Sequence, residues 1–329
     1  MTEMKATRDS WGETLLKLGH ENEKIVVLSG DLEDSTRAEY FGNEFPERFF
    51  NLGIAEQDIL GTAAGLSLAG YIPFASSFAA FITNRPYGML RLSVCYNNTN
   101  VKVIGSHGGI TVGEDGATAQ ALEDLAITRV LPNMTVVYPV DAYETEKATR
   151  AITEMYGPVY MRCSRNKLPI ITTRDTLFTL GKSINMRRGS DATVIACGFL
   201  VSESLKAADI LVREGLEVQV INMHTIKPID RDAIIQAAGQ TGAIVTAEDH
   251  QVNGGLGSAV AEVLSTNLPV PQEMVAVMDT FGESGTPQQL QEKYNLTDKS
   301  IAEAVRKVIK RKQLSPHISP ISMAGSSIS

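Results

Sequence analysis

Short apolar runs alternate with longer amphipathic stretches through the first 170 residues of the chain. The apolar runs predict strands at residues 24–29, 49–52, 72–75, 101–105, 135–138 and 159–162. The amphipathic stretches predict helices at residues 10–18, 56–68, 78–96, 122–130 and 143–155. Because strands that alternate with helices assemble into parallel sheets through right-handed crossovers, we predict the α/β fold class.

A second α/β set follows residues 170–190, an irregular stretch that is typical of a linker. Its predicted strands are 191–198, 216–223 and 243–247, with helices at 202–214, after Pro228 and at 259–264. We therefore predict two domains with mainly parallel sheets, at residues 1–175 and 176–312. The Ser- and Pro-rich residues 313–329 predict a flexible tail.

Glycine-rich residues 254–258 precede the helix predicted at 259–264. Backbone N–H groups at such a helix N-terminus can bind an anion. Small residues at this position also allow a helix to pack closely on a sheet, and we favour this second interpretation.

The helix predicted at residues 56–68 carries Glu56 near its start and almost no polar face. Its apolar positions are Ile59, Leu60, Ala63, Ala64, Leu66 and Leu68. We therefore expect this helix to be buried, and apolar surroundings favour the protonated form of a carboxyl group. Such a group can share a proton with a ring nitrogen. The alternative is a glutamate that interacts only with the helix dipole.

Two further segments carry candidate chemistry. Phe78 and Phe81 lie three residues apart, so we expect them to share a helix face, either as core or as a surface for a flat heterocycle. Residues 105–116 form a glycine-rich loop after a predicted strand, and this loop contains His107, Glu114 and Asp115. Loops at that end of a parallel strand are where α/β sheets bind ligands.

These segments resemble the pyrimidine-binding domain of transketolases. The resemblance rests on residues 51–57, 76–81, 106–116, 128–134 and 163–166, in this order, and extends over residues 5–312. It implies a thiamine diphosphate cofactor, with Glu56 on N1′ of the pyrimidine and with Phe78 and Phe81 as its aromatic wall. The family's Gly-Asp-Gly…Asn motif for magnesium and diphosphate is missing, so the resemblance implies an N-terminal partner subunit that holds Mg²⁺ and the diphosphate. No residue of this chain is predicted as a metal ligand.

The resemblance also implies a substrate site. Four residues match family positions at a sugar phosphate: Arg8, Ser35, His107 and Arg165. Asp115 matches an aspartate that recognises a substrate hydroxyl. We predict Glu56 and His107 as catalytic residues. From the residues alone, surface salt bridges at Arg8 and Arg165 and a turn-stabilising role for Asp115 stay open.

Two positions depart from the family. Asn84 stands where a third aromatic residue is common, and Pro86 next to it is also unusual. Ala119 stands where the family usually has a histidine near the donor carbonyl, which implies lower activity, a compensating group from the partner or a different donor.

Composition adds limits to this interpretation. A net charge of −8 argues against nucleic-acid and anionic-membrane partners, although local basic residues can still bind phosphate. Cys95, Cys163 and Cys197 lie in apolar contexts without metal-ligand spacing, as in a reduced cytoplasmic protein. We found no signal-peptide pattern and expect a cytoplasmic location.

We therefore predict one subunit of a split, thiamine-dependent transketolase that transfers a two-carbon ketol unit between sugar phosphates. Self-association into an α2β2 complex with the partner is also expected. The alternatives are the β-subunit of a 2-oxo acid dehydrogenase and a fragment similar to 1-deoxyxylulose-5-phosphate synthase. A further alternative is an inactive structural or regulatory partner, an idea that Ala119 keeps open.

Overall fold

Two parallel sheets follow each other along the chain in the computed structural model, which describes residues 3–314. The first part contains β1 (Met4–Ala6), α1 (Thr7–Glu21), β2 (Ile25–Ser29), α2 (Glu33–Thr36), α3 (Glu39–Glu44), β3 (Phe49–Asn51), α4 (Glu56–Leu68), β4 (Ile72–Phe78), α5 (Ala79–Asn84), α6 (Tyr87–Met89), β5 (Lys102–Ser106), α7 (Asp124–Arg129), β6 (Thr135–Val137), α8 (Ala142–Glu154), β7 (Val159–Cys163) and β8 (Lys167–Pro169). The second part contains β9 (Ile184–Arg187), β10 (Ala192–Ala196), α9 (Leu200–Val212), β11 (Val218–Asn222), β12 (Thr225–Lys227), α10 (Arg231–Thr241), β13 (Ile244–Gln251), α11 (Leu256–Asn267), β14 (Gln272–Val277), α12 (Pro287–Lys293) and α13 (Asp298–Leu314). Short 3₁₀ helices cover Pro46–Arg48 and Ile110–Asp115, and a π-helix covers Leu90–Tyr96.

The two main sheets confirm the predicted α/β class. The first has the order β12-β6-β7-β5-β4-β2-β3, and the second has the order β14-β13-β10-β11-β9. All neighbours in these sheets are parallel except β12 against β6 and β9 against β11. Since β12 comes from the second part of the chain and completes the first sheet, the two parts are joined by backbone hydrogen bonds.

The core is shared between the two parts. On one face of the first sheet, α1, α3 and α8 bury Trp11, Phe41 and Ile152. On the other face, a single apolar cluster runs from Ile59 of α4 to Ile234 of α10. The three cysteines are buried and free, and burial raises the pKa of the Cys95 and Cys163 thiols to about 12. Within residues 3–314, no helix is long and apolar enough to cross a membrane.

The helix predicted at 78–96 is confirmed in part, because it starts one residue later and is interrupted at residues 85 and 86. β4 continues to Phe78, α5 ends at Asn84, and the chain then forms α6 and the π-helix. The reason is Pro86, which has no backbone N–H to continue the helical hydrogen-bond ladder. The prediction that α4 is buried on all faces is also wrong for the single chain, because Leu68 is 73% exposed.

Several elements were not predicted from the sequence. The stretch at 170–190 contains β9, and α13 includes Gln313 and Leu314. The predicted tail, from residue 315 onward, lies outside the described residues. The domain division at residue 175 stays a prediction.

The glycine-rich stretch before α11 agrees with close packing. Added side-chain carbon at Gly257 would lie 2.9 Å from Thr246 Oγ1 and 3.0 Å from Met274 Sδ. The N–H groups of Leu256 and Gly257 donate to the carboxylate of Glu248 at 2.7 Å each. The helix N-terminus is therefore occupied by a carboxylate of the chain itself.

Candidate active site

Glu56 is the first residue of α4 and is only 5% exposed. Gly53 adopts a left-handed backbone (φ 71°), and this turn brings the chain from β3 into the helix. Negative charge at a helix N-terminus is favourable, so the fold places this carboxylate where its charge is stabilised.

Arg85 contacts both Glu56 and Phe81. Its Nη1 donates to Glu56 Oε1 at 2.7 Å, and its guanidinium carbon lies 4.1 Å from the centre of the Phe81 ring. The expectation of purely apolar surroundings for Glu56 is therefore wrong. Arg85 follows Phe81 by four residues, one helical turn, and this spacing places both side chains on the same side of α5.

Phe78 and Phe81 lie side by side, although they do not share a helix. Phe78 ends β4, and Phe81 lies in the first turn of α5. Their ring centres are 5.5 Å apart at an angle of 23°. The His107 ring stacks on Phe78 at 3.8 Å and 20°. A continuous line of flat groups therefore connects Arg85 to His107.

His107 follows β5 with a left-handed backbone (φ 59°). Its Nδ1 lies 2.8 Å from Ser106 Oγ, and its Nε2 lies 3.4 Å from Arg8 Nη1. Since arginine only donates, Nε2 accepts and Nδ1 carries the proton. Burial, followed by repulsion from Arg8, Arg165 and Arg37, lowers the pKa of His107 to about 3, so the imidazole is neutral near pH 7.

Arg8 carries a buried hydrogen-bond donor without a partner. Its Nη1 donates to the carbonyl oxygen of Ser35 at 2.7 Å, while its Nε is buried and unpaired. Burial lowers the pKa of Arg8, and the nearby Arg37 and Arg165 lower it further against the opposing effect of Asp9. A partly buried cation that has two cationic neighbours, and whose Nε has no hydrogen-bond partner within residues 3–314, is suited to binding an anion.

Arg165 and Asp115 lie at the outer side of the same cluster. Arg165 Nη1 donates to the carbonyl oxygen of Val112 at 2.7 Å and lies 3.5 Å from Glu114 and 3.7 Å from Asp115. Asp115 thus contacts Arg165, and both side chains are about one-third exposed, 34% for Arg165 and 37% for Asp115. The structure brings together Arg8, Ser35, His107, Asp115 and Arg165, and their individual roles stay predictions.

The second part of the chain fixes the loop that carries His107. The N–H of Ile110 donates to Asp249 Oδ1 at 2.8 Å, and Gln120 Nε2 donates to the carbonyl oxygen of Glu283 at 2.9 Å. Added side-chain carbon at Gly109 would lie 1.8 Å from Asp249 Oδ2. Glycine is therefore required at this position by both its φ of 84° and its close neighbour. Ala119 lies on the same loop and is 6% exposed.

Three contributors were not anticipated from the sequence: Arg37, Arg85 and Asp249. Arg85 had a usable signal, because it lies one helical turn after Phe81. Arg37 gave a weaker sequence signal, because it lies two residues after Ser35. Asp249 gave no sequence signal, since its contact with Ile110 spans 139 positions.

The side chains around Glu56 suit the pyrimidine end of the implied cofactor. A buried carboxylate next to an aromatic face, already holding a flat cation, fits an aminopyrimidine. Within residues 3–314, no group of three or more His, Cys, Asp or Glu side chains could hold a metal ion.

Two consecutive parallel α/β sheets, with a buried carboxylate and an aromatic pair at the first, form the architecture of the pyrimidine-binding half of thiamine diphosphate enzymes. The transketolase pyrimidine-binding domain family matches residues 3–170, and the transketolase C-terminal domain family matches residues 181–301. The chain belongs to the transketolase family.

Individual relatives cover almost the whole chain. A putative transketolase C-terminal section of Methanocaldococcus jannaschii is 44% identical over 310 residues, covering 93% of this chain and 97% of that protein. A 6-deoxy-6-sulfo-D-fructose transketolase subunit of a Clostridium species is 42% identical and covers 93% and 95%, respectively. A solved structure described as a split gene transketolase, inactive β4 tetramer, is 48% identical with a TM-score of 0.88, covering 93% of this chain and 99% of that one.

Proposed function

We propose that the chain is the pyrimidine-binding and C-terminal subunit of a split transketolase, which transfers a two-carbon ketol unit between sugar phosphates. One observation carries this proposal. A single line of stacked groups joins the buried carboxylate of Glu56 to the arginine-rich cluster around His107. A carboxylate for the cofactor and a cationic pocket for the substrate thus lie at opposite ends of one site.

Glu56 would act on the cofactor. When bound, thiamine diphosphate supplies a nucleophilic carbon that can attack the ketose carbonyl. Glu56 would hold a proton in a hydrogen bond to N1′ of the pyrimidine, and Phe78 and Phe81 would form the wall against its ring. The burial of Glu56 keeps water from competing for that hydrogen bond.

The arginine cluster would bind the anionic end of the sugar. The unpaired Nε of Arg8 provides a donor that gains a partner only when an anion enters. Because His107 is neutral near pH 7, its ring can donate from Nδ1 or accept at Nε2 without adding a positive charge to the pocket. Arg165 would add a charge-assisted contact, Ser35 a hydroxyl contact, and Asp115 would accept from a substrate hydroxyl.

A partner subunit would hold Mg²⁺ and the diphosphate. The similarity to split transketolase subunits supports this division. We propose an α2β2 assembly in the cytoplasm, with the partner as an N-terminal transketolase subunit. The relatives that are named as transketolases favour this reaction over those of 2-oxo acid dehydrogenases and 1-deoxyxylulose-5-phosphate synthases.

Ala119 would determine the choice of donor. It is 6% exposed on the loop between His107 and α7, and the family usually has histidine at this position. A methyl group in place of imidazole leaves room for an unusual ketose. The similarity to a sulfofructose transketolase subunit supports including sulfonated ketoses among the candidates, because a sulfonate is also an anion that arginine can bind.

Turnover by the complex co-expressed with its N-terminal partner tests the proposal. The assay uses ketose phosphates and ketose sulfonates as donors and compares the wild type with Glu56→Gln. Because the amide keeps the volume and loses the proton, we expect turnover to fall at least about a hundredfold.

Glu21→Gln is the matched control, since Glu21 pairs with Arg150 at 2.8 Å on the exposed side of α1. Its turnover should match the wild type. Near-normal turnover by Glu56→Gln with cofactor bound would contradict the role of Glu56. A wild-type complex that binds the cofactor but turns over no donor would instead favour the structural-partner alternative.

A further inference from the structure

The guanidinium of Arg85 makes the two contacts that the proposed function assigns to the aminopyrimidine. Its edge donates to Glu56 at 2.7 Å, and its flat face lies 4.1 Å from the centre of the Phe81 ring. Both groups are planar and carry N–H donors in that plane, so both can satisfy a carboxylate and an aromatic face at once.

A neighbouring ring packs beside Phe81. Phe78 is stacked 5.5 Å from Phe81, and His107 lies 3.8 Å from Phe78. A heterocycle that stacks on Phe81 and bonds to Glu56 would need the place that Arg85 occupies, because Arg85 makes both of these contacts.

We propose that Arg85 closes the aminopyrimidine position in the cofactor-free chain and leaves it when the cofactor binds. The inference rests on the proposed function of Glu56. It makes Arg85 a residue that controls cofactor affinity by occupying the cofactor's place.

The position of Arg85 allows this movement. Its side chain is 47% exposed, whereas that of Glu56 is 5% exposed. Arg85 caps the C-terminus of α5, directly before Pro86, where the helix is interrupted. Because Arg85 is half exposed, its side chain can turn into solvent, and the bound aminopyrimidine then replaces it as the partner of the buried Glu56 carboxylate.

Calorimetric titration of the partner complex with thiamine diphosphate and Mg²⁺ tests the inference. Affinity for a site that is open only part of the time is reduced by the open fraction, so removing the occupant should restore it. If the site is open about a tenth of the time, Arg85→Met should lower Kd about tenfold. Arg150→Met, which removes an exposed guanidinium paired with Glu21, should leave Kd unchanged.

A crystal structure of the loaded wild-type complex provides a second measurement that needs no variant. We expect Arg85 to be turned away from Glu56, with the pyrimidine on Phe81. Arg85 still bonded to Glu56 beside the bound pyrimidine would overturn the inference, as would an Arg85→Met complex with equal or weaker affinity.

The two proposals fail in different ways. A wild-type complex that does not bind the cofactor would reject the proposed function. A wild-type complex that binds it, together with an Arg85→Met complex that binds it no better, would reject only the role of Arg85.

Discussion

His107 is held neutral by its surroundings. It stacks on Phe78 at 3.8 Å, and the nearest ionised groups are arginines rather than carboxylates. Protonation would place a further cation among Arg8, Arg37 and Arg165. The substrate end of the site therefore obtains its positive charge from arginine, while the imidazole provides directed hydrogen bonds.

This arrangement predicts a loss of stability in acid. The pKa of His107 falls from 6.5 to about 3 on folding, so the unfolded chain binds the extra proton below pH 6.5. The contribution of His107 to the free energy of unfolding is at its maximum well above pH 6.5 and declines as the pH falls towards 3. Between pH 6.5 and pH 5 the loss is about 2 kcal/mol.

His107→Asn should remove this pH dependence, and asparagine also tolerates the left-handed backbone. Urea unfolding at pH 7 and pH 5 gives the difference for each protein. His224, whose pKa burial lowers to about 4, is present in both proteins, so its contribution cancels. Identical pH dependence in the two proteins would show that His107 titrates normally.

Arg165→Ala should raise KM for phosphorylated donors far more than for unphosphorylated ones. A charge-assisted contact is worth about 1.5–3 kcal/mol, or roughly ten- to over a hundredfold in affinity. The measurement is steady-state kinetics of the complex on matched pairs of donors. Arg306→Ala, which breaks an exposed pair with Glu214, is the control. An equal loss on both donor types would mean that Arg165 acts only by holding Val112 and its loop.

At the scale of single residues, the sequence could predict that Arg8, His107 and Arg165 converge. Each lies near the carboxyl end of a predicted strand or at the start of the chain. The family resemblance implies that all three lie near the same sugar phosphate. The sequence could not show that Glu56 is ion-paired. That contact depends on the end of α5, and the interruption at Pro86 determines where α5 ends.

At the scale of elements, apolar runs predicted the central strands because strands buried on both faces have continuous hydrophobic sequences. β2, β5 and β7 begin and end within one residue of the expected positions. β12 was not predicted, since it has only three residues and pairs with β6, which is distant in sequence. Pairing of short strands depends on tertiary contacts more than on local pattern.

The loop after β5 is an element whose shape comes from the other half of the chain. Asp249 on β13 accepts from the N–H of Ile110, and Arg162 on β7 donates to the carbonyl oxygens of Asp249 and Ala121 at 2.7 and 2.6 Å. Burial raises the pKa of Asp249 to about 6, while the nearby Arg162 opposes this shift. The C-terminal half therefore holds the loop that carries His107.

Asp249→Ala should loosen this loop. It leaves the N–H of Ile110 buried without a partner, and losing such a bond costs about 1–3 kcal/mol. We expect hydrogen exchange at Ile110 to become roughly ten- to a hundredfold faster. Asp249→Asn keeps an acceptor oxygen and should show a smaller change. Unchanged exchange at Ile110 in Asp249→Ala would show that the loop keeps its shape without this anchor.

At the scale of the whole molecule, α4 is covered by the rest of the chain on one side only. Its inner face packs into the core shared by both parts, while Leu68 is 73% exposed, and Ile54 just before the helix is also 73% exposed. The sequence predicted burial of all faces because apolar residues surround the helix. A second subunit that covers this side would agree with the pattern, as expected for the proposed assembly.

Cofactor binding should therefore require the partner. The pyrimidine contacts available here are one charge-assisted hydrogen bond at Glu56 and one aromatic face at Phe81. Together they are worth about 2–4.5 kcal/mol, which corresponds to millimolar affinity or weaker. Most of the cofactor's charge lies on the diphosphate and its metal, and residues 3–314 contain no group of three or more His, Cys, Asp or Glu side chains that could hold a metal ion.

Calorimetry with thiamine diphosphate and Mg²⁺ checks this expectation. The chain alone should show no binding at micromolar cofactor, whereas the complex with the N-terminal partner should bind in that range and lose binding when Mg²⁺ is chelated. The partner alone serves as the control for diphosphate contacts made without Glu56 and Phe81. Magnesium-dependent micromolar binding by the isolated chain would contradict a divided site, since it requires about 8 kcal/mol in total and the pyrimidine contacts of this chain account for only about 2–4.5 kcal/mol.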